Sequence, residues 1–147
     1  MKKDDFTFDG FEPANTTPVP DVLFDELLAI LSGAELKVLL YIIRRTAGFK
    51  KPTDAISLTQ FERGITTKAG KVLDRGCGLN RETVCQALQS LENRGCIRLT
   101  KRMGTKNDKD VTIYRIRFRG DVAVVGKTDY VLVGQSEKPT TLVGKTR

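Results

Sequence analysis

Apolar residues recur at helical spacing early in the chain. After Pro20, the spacing i, i+3, i+4 and i+7 of four residues predicts a first helix with one apolar face, made by Phe24, Leu27, Leu28 and Leu31. Residues 32–35, Ser-Gly-Ala-Glu, fit the capping box that precedes many helices. The helix that follows, over residues 35–46, is predicted to carry an apolar stripe of Leu36, Leu39, Leu40 and Ile43, flanked by Val38 and Ile42. We expect this second helix to be the central buried one.

Two further helices are predicted in the middle of the chain. A short one spans about residues 58–63, after a short strand at residues 55–57. A longer one spans residues 81–93 and has Asn80 as its N-cap. Its predicted core stripe consists of Val84, Ala87, Leu88 and Leu91. Between the two helices, residues 66–78 are rich in Lys, Gly and Thr and are predicted to form a loop longer than the usual turn of a helix-turn-helix.

Apolar residues alternate with polar ones after the last helix. Residues 96–103 and 111–118 are predicted strands, and the polar connection between them predicts a hairpin with a long, flexible tip. In the second strand, Tyr114, Ile116 and Phe118 share one face, whereas Arg115 and Arg117 share the other. We therefore expect one side of the hairpin to pack and the other to be basic.

The elements follow in the order helix, helix, short strand, helix, helix and hairpin. This order predicts an α+β, mainly α fold: a winged helix-turn-helix with a β-hairpin wing and flexible N- and C-terminal tails. The predicted domain spans residues 21–119, between an extended leader (1–20) and a tail (120–147). The tail holds three short, degenerate repeats of a Val-Gly-Lys-Thr type, which are either part of a flexible tail or a docking motif for another chain.

Charge indicates the class of partner. The chain has a formal net charge of +7 and a sequence pI of about 9.5, which favours polyanionic partners. The charge is also polarised, because residues 1–32 hold two Lys against seven Asp or Glu, whereas residues 94–119 hold nine Lys or Arg against two Asp. We expect the positive field at the predicted wing and an acidic leader.

The residue types exclude several chemistries. The chain has no histidine, which excludes imidazole general bases, histidine-activated nucleophiles and histidine-containing zinc sites. Its three cysteines, Cys77, Cys85 and Cys96, are spaced unlike paired metal ligands, so free thiols are expected. Neither a signal peptide nor a membrane span is predicted. We therefore predict a cytoplasmic, nucleoid-associated protein with no enzymatic activity, no cofactor and no metal.

The predicted helix at residues 81–93 carries side chains suited to reading DNA bases. Helix-turn-helix proteins present the N-terminal residues of such a helix to the major groove. The candidate base-reading residues are Asn80, Arg81, Glu82, Thr83 and Gln86. Arg81 suits guanine, and Gln86 or Asn80 suits adenine. Glu82 either accepts a hydrogen bond from cytosine or only orients Arg81. For any one of these residues, a solvated helix face is an equal alternative.

Basic residues around this helix are candidates for contacts with the DNA backbone. On the predicted wing and in the loop of residues 66–78 they are Lys101, Arg102, Lys106, Lys109, Lys68 and Lys71. Contacts with phosphate raise affinity more than sequence preference. Arg115 and Arg117 either add to this field or pair with the acidic leader.

Several segments together resemble one protein family. They are TPVPD (17–21), LSGAELKVL (31–39), RRTAGFKK (44–51), ISLTQF (56–61) and GLNRETV (78–84). In this combination the chain is similar to the N-terminal domain of phage replication protein O. The resemblance implies a replication-initiation protein of a phage, prophage or plasmid, whose winged helix binds origin repeats and whose C-terminal part recruits the helicase machinery. In this sequence we expect any such recruitment to fall to the repeat-bearing tail.

Residue patterns and resemblance together predict a sequence-preferring double-stranded DNA-binding protein of a mobile element, acting in replication initiation or its control. The predicted partners are double-stranded DNA, a replicative helicase or its loader through the C-terminal tail, and a second copy in a homodimer on DNA. Two alternatives stay open. One is a winged-helix transcriptional regulator, and the other is an adaptor that binds another protein and not DNA.

Overall fold

Helices predominate over small antiparallel sheets in the computed structural model, which describes residues 6–102, 111–123 and 130–132. The predicted α+β, mainly α class is confirmed. The first helix, α1, joins a π-helical turn, Leu23–Leu27, to an α-helical turn, Leu28–Ile30. The other helices are α2 (Gly33–Thr46), which a 3-10 turn (Ala47–Phe49) extends, α3 (Leu58–Arg63) and α4 (Arg81–Asn93).

The strands are short, and most of them follow α4. They are β1 (Asp54–Ala55), β2 (Ile65–Thr66), β3 (Val72–Asp74), β4 (Ile97–Arg102), β5 (Val111–Ile116), β6 (Asp121–Ala123) and β7 (Tyr130–Leu132). The main sheet has the order β1-β5-β4 and is antiparallel throughout. Its core strand is β5, which pairs with β4 in the predicted hairpin and with β1 on its other edge.

α2 is the central helix, as predicted, but its buried face is wider than the predicted stripe. Its capping box is present, with Ser32 Oγ accepting from the Glu35 N–H at 3.1 Å and Glu35 Oε1 accepting from the Ser32 N–H at 2.8 Å. The buried apolar residues are Val38, Leu39, Tyr41, Ile42 and Ile43. Leu40, predicted in the stripe, is exposed instead. The reason is that α4, β1 and β5 all contact α2, so its buried face is centred on Val38 and Ile42.

The predicted apolar face of α1 is confirmed for Leu31 and for Leu27, which packs against the core, but it is wrong for the other two residues. Leu23 and Leu31 are buried, whereas Phe24 and Leu28 are each more than half exposed. The cause is the π-helical turn, which holds more residues per turn than an α-helix. A pattern read at 3.6 residues per turn therefore places Phe24 and Leu28 inward by mistake and misses Leu23.

The predicted division of β5 into a packed face and a basic face holds only in part. Tyr114 and Ile116 are buried and Arg117 is exposed, as expected. Arg115, predicted on the basic face, is buried too, so that face is covered at this position. Phe118, predicted on the packed face, lies beyond the end of β5 and is 46% exposed.

The connection between α3 and α4 is a hairpin and not the predicted loop. β2 and β3 pair antiparallel, with Ile65 opposite Asp74 and Thr66 opposite Val72. The hairpin packs tightly on the end of α3, because a Cβ on Gly64, whose φ is +83°, would lie 2.1 Å from the Asp74 carbonyl oxygen. Strands of two and three residues are too short to leave an alternating pattern in the sequence.

A buried polar network holds α2, α3, β1 and β3 together. Arg45 Nε donates to Asp54 at 2.9 Å, and its Nη1 donates to Gln60 at 3.2 Å. The Tyr41 hydroxyl accepts from the same Nη1 at 3.3 Å and donates to Asp74 Oδ1 at 2.9 Å. Burial, together with the Asp74 carboxylate, raises the pKa of Tyr41 to about 12. The hydroxyl therefore stays protonated and keeps its role as a donor to Asp74.

β6 and β7 lie in the segment predicted to be a tail. They form a two-stranded ladder in which Asp121 is opposite Leu132 and Ala123 is opposite Tyr130. Almost all of the three repeats lies outside the described residues, as do Lys106 and Lys109 of the predicted wing. In the part of the chain that is described, no helix has both the length and the apolar composition needed to cross a membrane.

Candidate nucleic-acid interface

α4 has one buried face and one exposed polar face. The predicted core stripe is confirmed, since Val84, Ala87, Leu88 and Leu91 are all buried. With this phase, Glu82, Gln86 and Gln89 lie on the opposite face and are exposed. Two of the five candidate base-reading residues, Glu82 and Gln86, therefore lie on the outermost face of the helix.

Asn80 caps α4, as predicted, and this role limits what else its side chain can do. Its Oδ1 accepts a hydrogen bond from the Thr83 N–H at 2.9 Å. Bidentate reading of adenine needs both the oxygen and the nitrogen of an amide. The capping bond occupies the oxygen of Asn80, so the structure favours Gln86, whose side chain is exposed, for that contact.

Arg81 connects the start of α4 to α3. Its Nε donates to Glu62 Oε2 at 2.8 Å, and its Nη2 donates to Thr59 Oγ1 at 3.1 Å. The carboxylate that orients Arg81 in the structure is thus Glu62, whereas the sequence offered its neighbour Glu82. Glu62 and Thr59 escaped prediction because each contact joins residues about twenty positions apart. Their spacing of three on α3, which places them on one face, was the available signal.

The other flank of α4 packs against the start of α2. Glu35 Oε2 accepts from the Ser90 hydroxyl and, at 2.9 Å, from Arg94 Nε. Burial alone would raise the pKa of Glu35, but the hydrogen bonds from Ser32, Ser90 and Arg94 outweigh it and lower the pKa to about 2. The carboxylate is therefore charged at neutral pH, and it fixes α4 on α2.

Thr83 lies on this flank and not on the outermost face. It is half-buried, and together with Gln86 and Ser90 it lines a shallow groove beside α2. A short side chain in this position reaches less far from the helix than Glu82 or Gln86. Of the candidate base-reading residues, Thr83 is therefore the least accessible.

The candidate backbone-binding residues are divided between two hairpins. Lys68 and Lys71 lie at the tip of the β2–β3 hairpin and are exposed. A hydrogen bond of 2.8 Å from the Thr67 N–H to the Lys71 carbonyl closes this tip. Lys101 is exposed on β4, and Arg102 is the last residue of that strand. The structure thus places Lys68 and Lys71, predicted from the sequence to lie in a loop, together at the tip of one hairpin.

The cysteines are free thiols, as predicted, and two of them have raised pKa values. Burial raises the pKa of Cys77 to about 11, and its thiol donates to the Lys37 carbonyl at 3.6 Å. Burial also raises the pKa of Cys96. Thiols held in the protonated form are poor nucleophiles and poor metal ligands. Cys85 lies on α4 and is exposed.

Comparison with known proteins identifies the family. A search of curated proteins and a search of solved structures found no match. The family model described as bacteriophage replication protein O matches residues 14–112, well over half of the chain. The match spans all four helices, β4 and the start of β5. It confirms the resemblance seen in the sequence segments. The chain therefore belongs to the bacteriophage replication protein O family.

Proposed function

We propose that this chain is a sequence-preferring double-stranded DNA-binding protein of a phage, prophage or plasmid, acting in replication initiation or its control. Membership of the replication protein O family supports a role in phage replication. The observation that carries the DNA-binding part is the exposed polar face of α4, formed by Glu82, Gln86 and Gln89, on a helix whose opposite face is buried. Side chains on a helix fixed in this way reach base edges without disturbing the core.

In this proposal the fold works as a winged helix. α4 is the recognition helix, the β4–β5 hairpin is the wing, and the β2–β3 hairpin replaces a tight turn between α3 and α4. The capping of α4 by Asn80 and its attachment to α3 through Arg81 support a preformed recognition helix. We infer a binding role without catalysis, since the chain lacks histidine and burial raises the pKa of the Cys77 and Cys96 thiols.

Charge supports a division of labour between α4 and the hairpins. Arg81 is the only Lys or Arg in α4, and it already pairs with Glu62. Contacts with phosphate therefore fall to the hairpins, which carry Lys68, Lys71 and Lys101. We propose that α4 supplies sequence preference and the hairpins supply affinity.

The proposal also includes partners for which the structure contains no contact among its described residues. Repeated origin sites would place two copies side by side on DNA, which suits a homodimer. A replicative helicase or its loader is the proposed partner of the repeat-bearing tail. The place of action is the nucleoid of a bacterial cell. A transcriptional regulator of the same fold has no observation in its favour, because the family match points to replication.

Selection of bound sequences from a random duplex library tests the proposal directly. We expect one preferred motif, and Gln86→Ala should relax the choice of base at one of its positions. Lys71→Gln should weaken all duplexes alike. Lys37→Gln is the matched control, because Lys37 is an exposed lysine of α2 that lies on neither hairpin. Failure to bind every duplex at moderate salt would contradict the proposal and favour a protein-binding adaptor.

A further inference from the structure

An apolar groove with an arginine rim lies where α1 and α2 meet the end of β5. Its volume is about 310 Å³, at the lower end of the range for ligand-binding pockets. Its floor includes Leu27, Leu39 and Ile43, and its rim includes Arg117 and Arg119, both exposed. In the described part of the chain neither arginine pairs with a carboxylate. Such a groove suits a peptide that carries both apolar and acidic side chains.

The leader of this chain has that chemistry. Phe6, Phe8 and Phe11 are 56%, 54% and 91% exposed, and the acidic residues Asp9 and Glu12 directly follow two of them. The rings of Phe8 and Phe11 contact each other edge to face, with their centroids 4.8 Å apart. Clustered exposed aromatic rings mark an interaction site more often than they mark a solvated segment.

We propose that residues 6–12 of one copy dock in the groove of a second copy. The carboxylates of Asp9 and Glu12 then face Arg117 and Arg119, and phenylalanine rings cover the apolar floor. Each copy has one leader and one groove, and reciprocal exchange between two copies closes a symmetric pair. This proposal does not rest on DNA binding.

Two observations favour this occupant over the nearest alternatives. The groove of the same chain does not hold the leader, because all three phenylalanines are exposed although Pro20, further along the same segment, lines the groove. A DNA backbone would satisfy the two arginines but leave the apolar floor uncovered. A second copy satisfies both parts of the groove.

The first experiment measures the oligomeric state of the full chain without DNA, by sedimentation over a range of concentrations. The wild type should form dimers. A leader variant, Phe8→Ala with Phe11→Ala, and a groove variant, Arg117→Glu with Arg119→Glu, should each weaken association by at least about tenfold. All four side chains are exposed or in the leader, so both variants should keep the wild-type circular dichroism spectrum. Phe24→Ala and Lys37→Glu, at exposed positions outside the groove, are the matched controls.

Mixing the two variants provides the decisive test. The leader variant still has an intact groove, and the groove variant still has an intact leader, so an equimolar mixture should regain one of the two contacts. A fluorescent peptide of residues 4–14 should bind the leader variant and should bind the groove variant at least about tenfold more weakly.

A wild type that stays monomeric while the peptide binds would show that each leader occupies its own groove, which overturns the proposal. Absence of both dimer and peptide binding would overturn it as well. So would a groove variant that loses duplex binding but associates like the wild type, since the arginines would then serve DNA.

Discussion

Single side chains fix α4 on its neighbours. One of them is Glu35, at the start of α2. The carboxylate caps α2 through the Ser32 N–H and reaches Ser90 and Arg94 of the α4 region. The capping half of this role follows from the Ser-x-x-Glu spacing, and so it was predictable. The contacts with Ser90 and Arg94 join residues more than fifty positions apart, and no local pattern announces them.

The lowered pKa of Glu35 predicts a loss of stability in acid. Because the folded-state pKa, about 2, lies below the usual 4.5, this group stabilises the fold fully above about pH 5 and loses its contribution as the pH falls toward 2. A shift of this size corresponds to on the order of 3 kcal/mol. Urea unfolding between pH 7 and pH 3 should show a smaller loss of stability for Glu35→Gln than for the wild type. Glu26→Gln, at an exposed position, should keep the wild-type profile. The same acid loss in Glu35→Gln would assign the effect to other groups.

For Arg81, an experiment can distinguish a contact with a DNA base from a contact with phosphate. Its guanidinium lies 2.8 Å from Glu62 and is half exposed, so it is oriented at the N-terminus of α4 before any DNA binds. If it reads guanine, Arg81→Ala should cost about 1–3 kcal/mol on the selected site and relax one base position. Titrations on the selected site and on a scrambled duplex provide the measurement. Equal loss on both duplexes would make Arg81 a phosphate contact and leave specificity to Gln86.

At the scale of elements, the sequence predicts regular helices well and irregular segments poorly. The core stripe of α4 was predicted in full, because a helix packed along one face leaves a clean 3.6-residue pattern. The π-helical turn in α1 breaks that period, and the wide burial of α2 blurs it. The β2–β3 hairpin was missed because strands of two and three residues are too short to leave an alternating pattern.

The α4 stripe leads to a test of the helical phase. Leu88 is 5% exposed, so Leu88→Ala should destabilise the protein by about 2–5 kcal/mol, because it leaves a cavity beneath α4. Gln89→Ala, on the exposed face of the same helix, should leave the free energy of unfolding nearly unchanged. Denaturant unfolding of both variants is the measurement. Similar values for the two would mean that the assignment of inward and outward residues is wrong.

Substitution of two glycines in the α3–α4 connection can distinguish the cost of close packing from the cost of backbone strain. Gly64 and Gly70 both have positive φ, +83° and +91°. A Cβ on Gly64 would lie 2.1 Å from the Asp74 carbonyl oxygen, whereas a Cβ on Gly70 would meet no atom within 4 Å. Gly64→Ala should therefore cost at least about 2 kcal/mol more than Gly70→Ala in denaturant unfolding. Equal costs would show that the hairpin moves away from α3 without penalty.

Across the whole molecule, acidic, neutral polar and basic side chains lie in separate regions. The leader is acidic, the exposed face of α4 is polar with little positive charge, and the hairpins carry Lys68, Lys71 and Lys101. Composition alone predicted this polarity, since charged tracts keep their sign whatever the fold. The grouping of Lys68 and Lys71 on one rigid hairpin needed the structure, because their support is made by contacts between α3 and β3.

This arrangement predicts how salt acts on DNA binding. Each phosphate neutralised by a lysine or arginine releases bound counterions, so about four to six contacts should give a log–log slope of roughly −4 to −5. Lys68→Gln with Lys71→Gln should make the slope shallower by about two units, and Lys106→Ala by about one, with the preferred sequence unchanged. Lys37→Gln, which removes the same single charge from an exposed position of α2 outside both hairpins, should leave the slope as it is. Titrations at four or more salt concentrations on the selected duplex give these slopes. A flat salt response in the wild type would remove the electrostatic basis of the proposed function. If Lys37→Gln changed the slope as much as a hairpin substitution, net charge would act without a defined contact surface.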